Sequence, residues 1–231
     1  MNQTVQQIPD IAGTGPYAAE QNRVLRNTYW LLAISLLPTV LGAWIGVSTG
    51  IVAGLSPGLS MILFFAGAFG LMYAIEKNKE SALGVYLLLA FTFFMGLMLS
   101  RLVGVVLGFR NGGSLIMMAF GGTATIFVAM ATLATVVKRD LSAMGKFLMV
   151  GAWIVLFGFI ANFFIESSVL MLTLLVLCLG VFSAFILYDV KRVIDGGETS
   201  YVSATLAIYL SIYNVFQSLL SLLGIFGGDS D

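Results

Sequence analysis

Seven apolar runs, each long enough to cross a lipid bilayer, constrain this chain more than any other feature. A membrane-crossing helix needs about 20 apolar residues, because each residue advances the helix by about 1.5 Å. Hydrophobic residues make up 59% of the chain and charged residues only 10%, whereas soluble domains are about 25% charged. We therefore predict an all-α integral membrane protein. Its spans should run approximately over Thr28–Val47, Pro57–Ile75, Ala82–Leu107, Leu115–Val137, Lys146–Ile165, Val169–Tyr188 and Val202–Phe226.

Short polar segments flank these runs and connect them. We expect residues 1–22 to form a flexible cytosolic tail, because they are polar and contain several prolines and glycines. Residues 23–226 should form one seven-helix membrane domain, and residues 227–231 a short acidic tail on the outer side. The short connections predict that neighbouring helices are antiparallel.

The distribution of positive charge predicts the orientation in the membrane. Nine of the eleven Lys and Arg residues lie before the first run or in alternate loops. The other two, Arg101 and Arg110, flank the third loop. Because Lys and Arg are enriched in cytoplasmic loops, the amino terminus should lie in the cytosol and the carboxyl terminus outside.

The seventh run carries polar residues on one face. Ser211, Asn214, Ser218 and Ser221 are three, four and three residues apart, which aligns them on a helix. Such a face in a membrane helix is buried against protein or lines a wet cavity, so we predict a central seventh helix. We expect Asn214, with Gln217, to bond neighbouring helices. The alternative interpretation is an ion path along this face.

Asp189 stands where the sixth run meets a charged turn. An unpaired aspartate in the membrane costs about 2.5–3.5 kcal/mol on insertion scales, so a partner is expected. Arg192 lies three residues further on the same helical face, and Lys77 could reach across from the second helix. Two interpretations stay open: an ordinary interfacial charge cluster, or a titratable latch at the cytosolic end of the sixth helix.

Composition also argues against several function classes. The net charge is zero, so no basic surface favours nucleic acid. The chain has no histidine, the commonest metal ligand, and its single cysteine cannot form an intramolecular disulfide. No nucleophile–base pair, phosphate-binding glycine loop or metal-ligand spacing occurs. We therefore expect neither an enzyme nor a cofactor.

Small residues at four-residue spacing predict where helices pack closely. Gly42 with Gly46 and Gly104 with Gly108 form two such pairs. We expect both pairs to serve packing within the chain rather than a dimer interface.

Three stretches resemble a known family. They are RVLRNTYWLL from Arg23, SPGL from Ser56, and GGETSY from Gly196 with the helix sequence ATLAIYLSIYNVFQSLLSLLG from Ala204. On these residues the chain is identified as a member of the Bax inhibitor family, the transmembrane Bax-inhibitor-motif proteins. The resemblance implies a seventh helix surrounded by six others and a multi-pass location in the bacterial inner membrane. It also implies a partner, because a bacterial member associates with the membrane protease FtsH and restrains it.

Other family members are proton-sensitive calcium leak channels, which gives the alternative function. Their sensor pairs an aspartate at the end of the sixth helix with one in the seventh, beside a basic residue of the second. Asp189 matches the first aspartate, but the second falls at Ser211. A serine cannot share a proton as a second carboxylate does. The resemblance thus implies a weaker polar latch of Asp189, Ser211 and Lys77, with Ca2+ or protons as the ions concerned.

Overall fold

The computed structural model describes residues 16–228, which form seven α-helices and no strand. All seven helices contain a segment long and apolar enough to cross a membrane. This confirms the predicted all-helical protein with seven spans. The helices are α1 (Pro16–Thr49), α2 (Pro57–Lys77), α3 (Ala82–Leu107), α4 (Gly112–Val136), α5 (Ser142–Ile165), α6 (Ser168–Ile194) and α7 (Tyr201–Gly227).

The first helix begins well before the first apolar run. α1 starts at Pro16, so residues 16–22 of the expected flexible tail are helical. The apolar run marks only the part of a helix that meets lipid, whereas backbone hydrogen bonds carry the helix beyond it. Residues 1–15 of that tail, and residues 229–231 of the acidic outer tail, lie outside the described residues.

Several helix ends follow from their local sequence. Ser56 caps α2, where its Oγ accepts a hydrogen bond from the Leu59 amide at 3.4 Å and Pro57 takes the first helical position. Serine at the cap and proline just inside it are the preferred pair at a helix start. Ser167 caps α6 and Ser200 caps α7 in the same way. These caps fix where each span begins.

α6 ends in a Schellman motif. The Gly197 amide donates to the Arg192 carbonyl oxygen at 2.8 Å, and the Gly196 amide donates to the Val193 carbonyl oxygen at 3.1 Å. Gly196 has a φ of +76°, a conformation that favours glycine. The turn reverses the chain and leads it into α7.

Glycine allows α1 and α3 to approach closely. A Cβ added to Gly42 would overlap the Phe93 carbonyl oxygen, and one added to Gly96 would overlap the Thr39 carbonyl oxygen. A Cβ on Gly46 would meet the Ser100 side chain. The expectation of packing within the chain is therefore confirmed for Gly42 and Gly46.

The second glycine pair does not mark a helix contact, so that prediction was wrong. A Cβ on Gly104 would meet no atom within 4 Å, and one on Gly108 would meet only backbone of its own helix. Four-residue spacing does not determine which way the face of a helix points. Here, a neighbouring helix approaches α3 through Gly96 rather than through Gly104.

The helices differ greatly in how many neighbours they have. α7 packs against α1, α2, α3, α4 and α6, whereas α5 packs closely only against α6. Most of the first half of α7 is buried, and Tyr209 and Ile208 are among its most enclosed side chains. The main core joins buried residues of α7 to those of α1, α2, α3, α4 and α6.

Candidate functional site

Asp189 lies in the last two turns of α6 and is 8% exposed. The Ser211 hydroxyl of α7 lies 3.4 Å from Asp189 Oδ2 and 3.1 Å from the Ala207 carbonyl oxygen, within donating distance of both. Ser211 is itself 3% exposed. The structure thus brings together two of the residues named from the sequence, at the place where a second acid would form a carboxylate pair.

The basic residues expected beside Asp189 have other positions. Arg192 donates from its terminal nitrogen to Glu198 Oε2 at 2.8 Å and from Nε to the Gly197 carbonyl oxygen at 3.3 Å. Lys77 is exposed at the end of α2. Among the described residues, neither forms a hydrogen bond or ion pair with Asp189. The Asp189 carboxyl therefore has a hydroxyl partner and no paired cation.

The charged turn around Asp189 forms its own pairs. Lys191 Nζ lies 2.6 Å from Asp195 Oδ1, one helical turn away. Lys79 Nζ lies 3.1 Å from Glu76 Oε2, which raises the pKa of the Lys79 ammonium above its ordinary value. In both pairs the acid is exposed, which is typical of an interfacial charge cluster. Asp189 is distinct from them in being buried.

The polar face of α7 is only partly engaged with its neighbours. Ser211 and Ser218 are buried, whereas Asn214 is half-buried and Gln217 is exposed. Asn214 Nδ2 donates to the Leu210 carbonyl oxygen of its own helix at 2.8 Å. The expected interhelical bond from Asn214 is therefore not observed among the described residues. A backbone carbonyl one turn away satisfies part of the amide locally.

Two tyrosines of α7 make interhelical bonds, in addition to Thr205, whose Oγ1 donates to the Thr28 carbonyl oxygen of α1 at 3.3 Å. The Tyr209 hydroxyl lies 2.8 Å from Thr39 Oγ1 of α1 and 3.5 Å from the Thr92 carbonyl oxygen of α3. The Tyr213 hydroxyl donates to the Met95 carbonyl oxygen at 3.3 Å. Neither tyrosine was predicted from the sequence, because tyrosine counts as part of an apolar run. Their spacing of four residues on the seventh run was the available signal.

A further polar group lies near the amino-terminal end of α7. The Ser203 hydroxyl is buried and has no hydrogen-bond partner among the described residues. Nearby, the Ser200 hydroxyl donates to the Lys79 carbonyl oxygen at 3.4 Å. This bond shows that the α2–α3 loop and the start of α7 lie at the same end of the bundle.

The described residues contain no cluster of metal-ligating side chains. No group of three or more His, Cys, Asp or Glu side chains could hold a metal ion in this part of the chain. Cys178 is buried, and the Ser218 hydroxyl of α7 lies within hydrogen-bonding reach of its thiol. What the geometry provides is a buried carboxyl–hydroxyl pair between α6 and α7.

Comparison with known proteins agrees with this architecture. The model of the family described as "Inhibitor of apoptosis-promoting Bax1" matches residues 21–228. Escherichia coli K12 has a relative, "Modulator of FtsH protease YccA", that is 36% identical over 203 residues, or 88% of this chain and 90% of the relative. Its counterpart in Escherichia coli O6:H1 is named "Inner membrane protein YccA".

Relatives occur in other bacteria too. An uncharacterized protein of Neisseria meningitidis serogroup A is 35% identical over 217 residues, or 93% of this chain and 96% of the relative. An uncharacterized membrane protein of Vibrio cholerae is 35% identical over 206 residues, or 89% of this chain and 91% of the relative. With seven membrane-spanning helices and these relatives, the chain is a multi-pass protein of the bacterial inner membrane and belongs to the Bax inhibitor family of transmembrane proteins.

Proposed function

We propose that this protein is an inner-membrane regulator that binds FtsH-type membrane protease and restrains it. The observation that carries the proposal is the 36% identity to YccA, named a modulator of FtsH, over nearly the full length of both chains. The alignment covers 88% of this chain and 90% of the relative, so it includes most of the surface that a membrane partner could contact. The family and the name of this relative also favour a regulator over an enzyme.

The orientation that fits this function places the amino terminus in the cytosol. The loops α2–α3, α4–α5 and α6–α7 then carry their Lys and Arg residues on the cytosolic side, as the positive-inside rule requires. In this arrangement α7 is the central helix, which its contacts with five other helices support. The cytosolic end of the bundle, with the segment before α1, would face the protease.

A reconstituted assay tests the proposal directly. Purified FtsH and a membrane-protein substrate are placed in proteoliposomes, and the substrate half-life is measured while this protein is added in increasing amounts. We expect the half-life to lengthen as the ratio rises, and FtsH to co-purify with the protein from the same membranes. A seven-helix protein from an unrelated family is the control for crowding. An unchanged half-life without co-purification would overturn the proposal.

A second candidate function is a pH-sensitive cation or calcium leak, with Asp189 as a latch on the cytosolic side. The observation that favours it is the buried Asp189–Ser211 pair between α6 and α7. We would place Asp189, Ser211 and Asn214 along the ion path. Lys77 and Arg192 would then act at its cytosolic mouth, since neither is paired with Asp189 in this conformation.

Ion flux distinguishes the two candidates. Proteoliposomes of the wild type, Asp189→Ala and Ser211→Asp are assayed for calcium and proton flux over a series of pH values. A leak in the wild type that Asp189→Ala alters would favour transport. A silent wild type with a pH-gated Ser211→Asp variant would mean a channel scaffold without its second acid, and background flux in all three would remove the candidate.

A further inference from the structure

A cleft opens between α2, α3 and α5 near the predicted outer ends of α2 and α3. It encloses about 320 Å³ and is lined by Pro57, Met61, Phe64, Phe65, Arg101, Phe159, Ile160 and Phe163. α5 packs closely only against α6, so no backbone contact between α5 and either α2 or α3 closes this cleft. Its walls are therefore side chains, nearly all of them apolar.

Arg101 is the exception in this lining. Its guanidinium has five N–H donors, and the one partner found for it among the described residues is Ser60 Oγ, at 3.5 Å. No carboxylate of the described residues forms an ion pair with it. Arg101 is exposed at the surface of the described helices, where a bilayer would surround it. An arginine at the edge of an apolar wall favours an anionic partner, because its charge is costly to leave uncompensated in a membrane.

The depth of Arg101 suits a lipid headgroup. α3 contains 26 residues and is about 39 Å long, whereas the hydrocarbon core of a bilayer is about 30 Å thick. Arg101 lies six residues before Leu107, the last residue of α3, so its Cα is about 9 Å from the helix end. Its long side chain can place the guanidinium at the level of the phosphates, while the phenylalanines below remain in the acyl region.

The positive charge of Arg101 favours anionic over zwitterionic lipids in this cleft. Arginine recognises phosphate through paired N–H donors. The lining contains no acidic residue, so a zwitterionic headgroup would bring an ammonium for which the cleft has no partner. From these observations we propose that the cleft is a binding site for an anionic phospholipid. Arg101 holds its phosphate, and one acyl chain lies between α2 and α5 against Phe64, Phe159 and Phe163.

Photolabelling tests the site. The full-length protein is purified into nanodiscs that contain phosphatidylglycerol with a diazirine in one acyl chain, and the labelled peptides are mapped by mass spectrometry. We expect label on Phe159, Ile160 and Phe163, and a several-fold loss of that label in Arg101→Gln. Arg139→Gln, which removes an exposed charge in the α4–α5 loop, is the matched control and should label like the wild type.

A second variant tests the cleft without changing its charge. Ile160→Trp fills the space between α2 and α5 and should also reduce labelling several-fold. If Arg101→Gln does not fold, the result with Ile160→Trp tests the proposal. The proposal is overturned if both variants label like the wild type, or if a phosphatidylcholine probe labels the cleft as strongly as phosphatidylglycerol. Loss of label in excess inorganic phosphate would reassign the site to a free anion and overturn it as well.

Discussion

The Tyr209 hydroxyl of α7 lies 2.8 Å from Thr39 Oγ1 of α1, and the ring of Tyr209 is 1% exposed. This bond joins two residues that are 170 positions apart in the sequence. Hydrogen bonds between membrane helices contribute about 0.6 kcal/mol on average and up to about 1.7 kcal/mol. The hydroxyls of Tyr209 and Tyr213, with that of Thr205, are therefore polar contacts that hold α7 against α1 and α3.

Tyr209→Phe should lower the free energy of unfolding by about 1 kcal/mol, because it removes one hydroxyl and leaves the ring in place. Reversible unfolding by SDS in mixed micelles measures the change. Tyr73→Phe is the matched control, since Tyr73 is 71% exposed. In a double-mutant cycle with Thr39→Val, the coupling energy between the two hydroxyls should account for most of the free energy that Tyr209→Phe loses. Equal losses in Tyr209→Phe and Tyr73→Phe would contradict this role.

Asn214→Leu should change the free energy of unfolding by no more than about 0.5 kcal/mol. The Asn214 amide bonds the Leu210 carbonyl of its own helix, so its loss breaks no interhelical contact, and helical Ser, Thr and Asn bonds of this kind add little. The same micelle titration gives the value. A loss larger than that of Tyr209→Phe would show that Asn214 bonds another helix.

Gly96→Ala should destabilise the bundle by about 1–3 kcal/mol or more, because the new methyl group would overlap the Thr39 carbonyl oxygen of α1. The backbones of α1 and α3 would have to separate. Gly104→Ala on the same helix is the control, since its methyl group would meet nothing within 4 Å. That variant should be equal to the wild type or slightly more stable, because alanine favours helix over glycine. Similar thermal midpoints for the two variants would disprove the close approach.

Glu166→Gly should stabilise the protein by about 1 kcal/mol. Glu166 ends α5 with a φ of 55°, in the left-handed region, where a residue with a Cβ is strained and glycine is not. Glu166→Ala removes the same carboxylate but keeps the Cβ, so it should give no gain. Thermal unfolding in detergent compares the two. A gain of the same size in both variants would assign the effect to charge.

The start of α5 should lose stability in acid. Asp140 Oδ1 accepts hydrogen bonds from the Ser142 amide at 2.8 Å and the Ser142 hydroxyl at 2.5 Å. These bonds hold the pKa of the Asp140 carboxyl below its ordinary value of 3.8. Because the folded pKa is lowered, the stabilisation is complete well above 3.8 and disappears as the pH falls through the folded pKa.

Amide hydrogen exchange at the start of α5 measures this effect, after correction for the intrinsic pH dependence of exchange. Protection in the wild type should fall as the medium is acidified below the ordinary range of aspartate, whereas Asp140→Asn should show little dependence there. Parallel curves for the two proteins would mean that Asp140 does not hold this helix end.

The spans were predictable because length and composition determine them, and neither depends on tertiary contacts. The partners of polar groups were not predictable in the same way. Asn214 was expected to reach another helix, yet a carbonyl of its own helix is closer. The acceptors for Tyr213 and, in part, Tyr209 are backbone carbonyls of α3, which no side-chain pattern marks.

The same limit applies to the candidate site. From the sequence, Asp189 was an acid at the end of the sixth run, either in an interfacial charge cluster or in a latch, and Ser211 was its counterpart only through the family resemblance. The structure buries Asp189 and places the Ser211 hydroxyl 3.4 Å from its Oδ2. The sequence did not predict that Arg192 would bond Glu198. That pairing depends on the turn at Gly196, whose φ of +76° brings Glu198 back toward the end of α6. Which acid an arginine pairs with therefore depends on turns of the backbone that the spacing of charges in the sequence does not show.

The restricted packing of α5 has a consequence for how the protein is made. α5 packs closely only against α6, which follows it in the chain. At about 5–20 residues per second, the 27 residues of α6 take about 1–5 s to synthesise. Until α6 has been made, α5 lacks the one helix that it packs closely against, so its own apolar sequence must favour the membrane. α5 can therefore take up its packed position only after α6 has been inserted beside it.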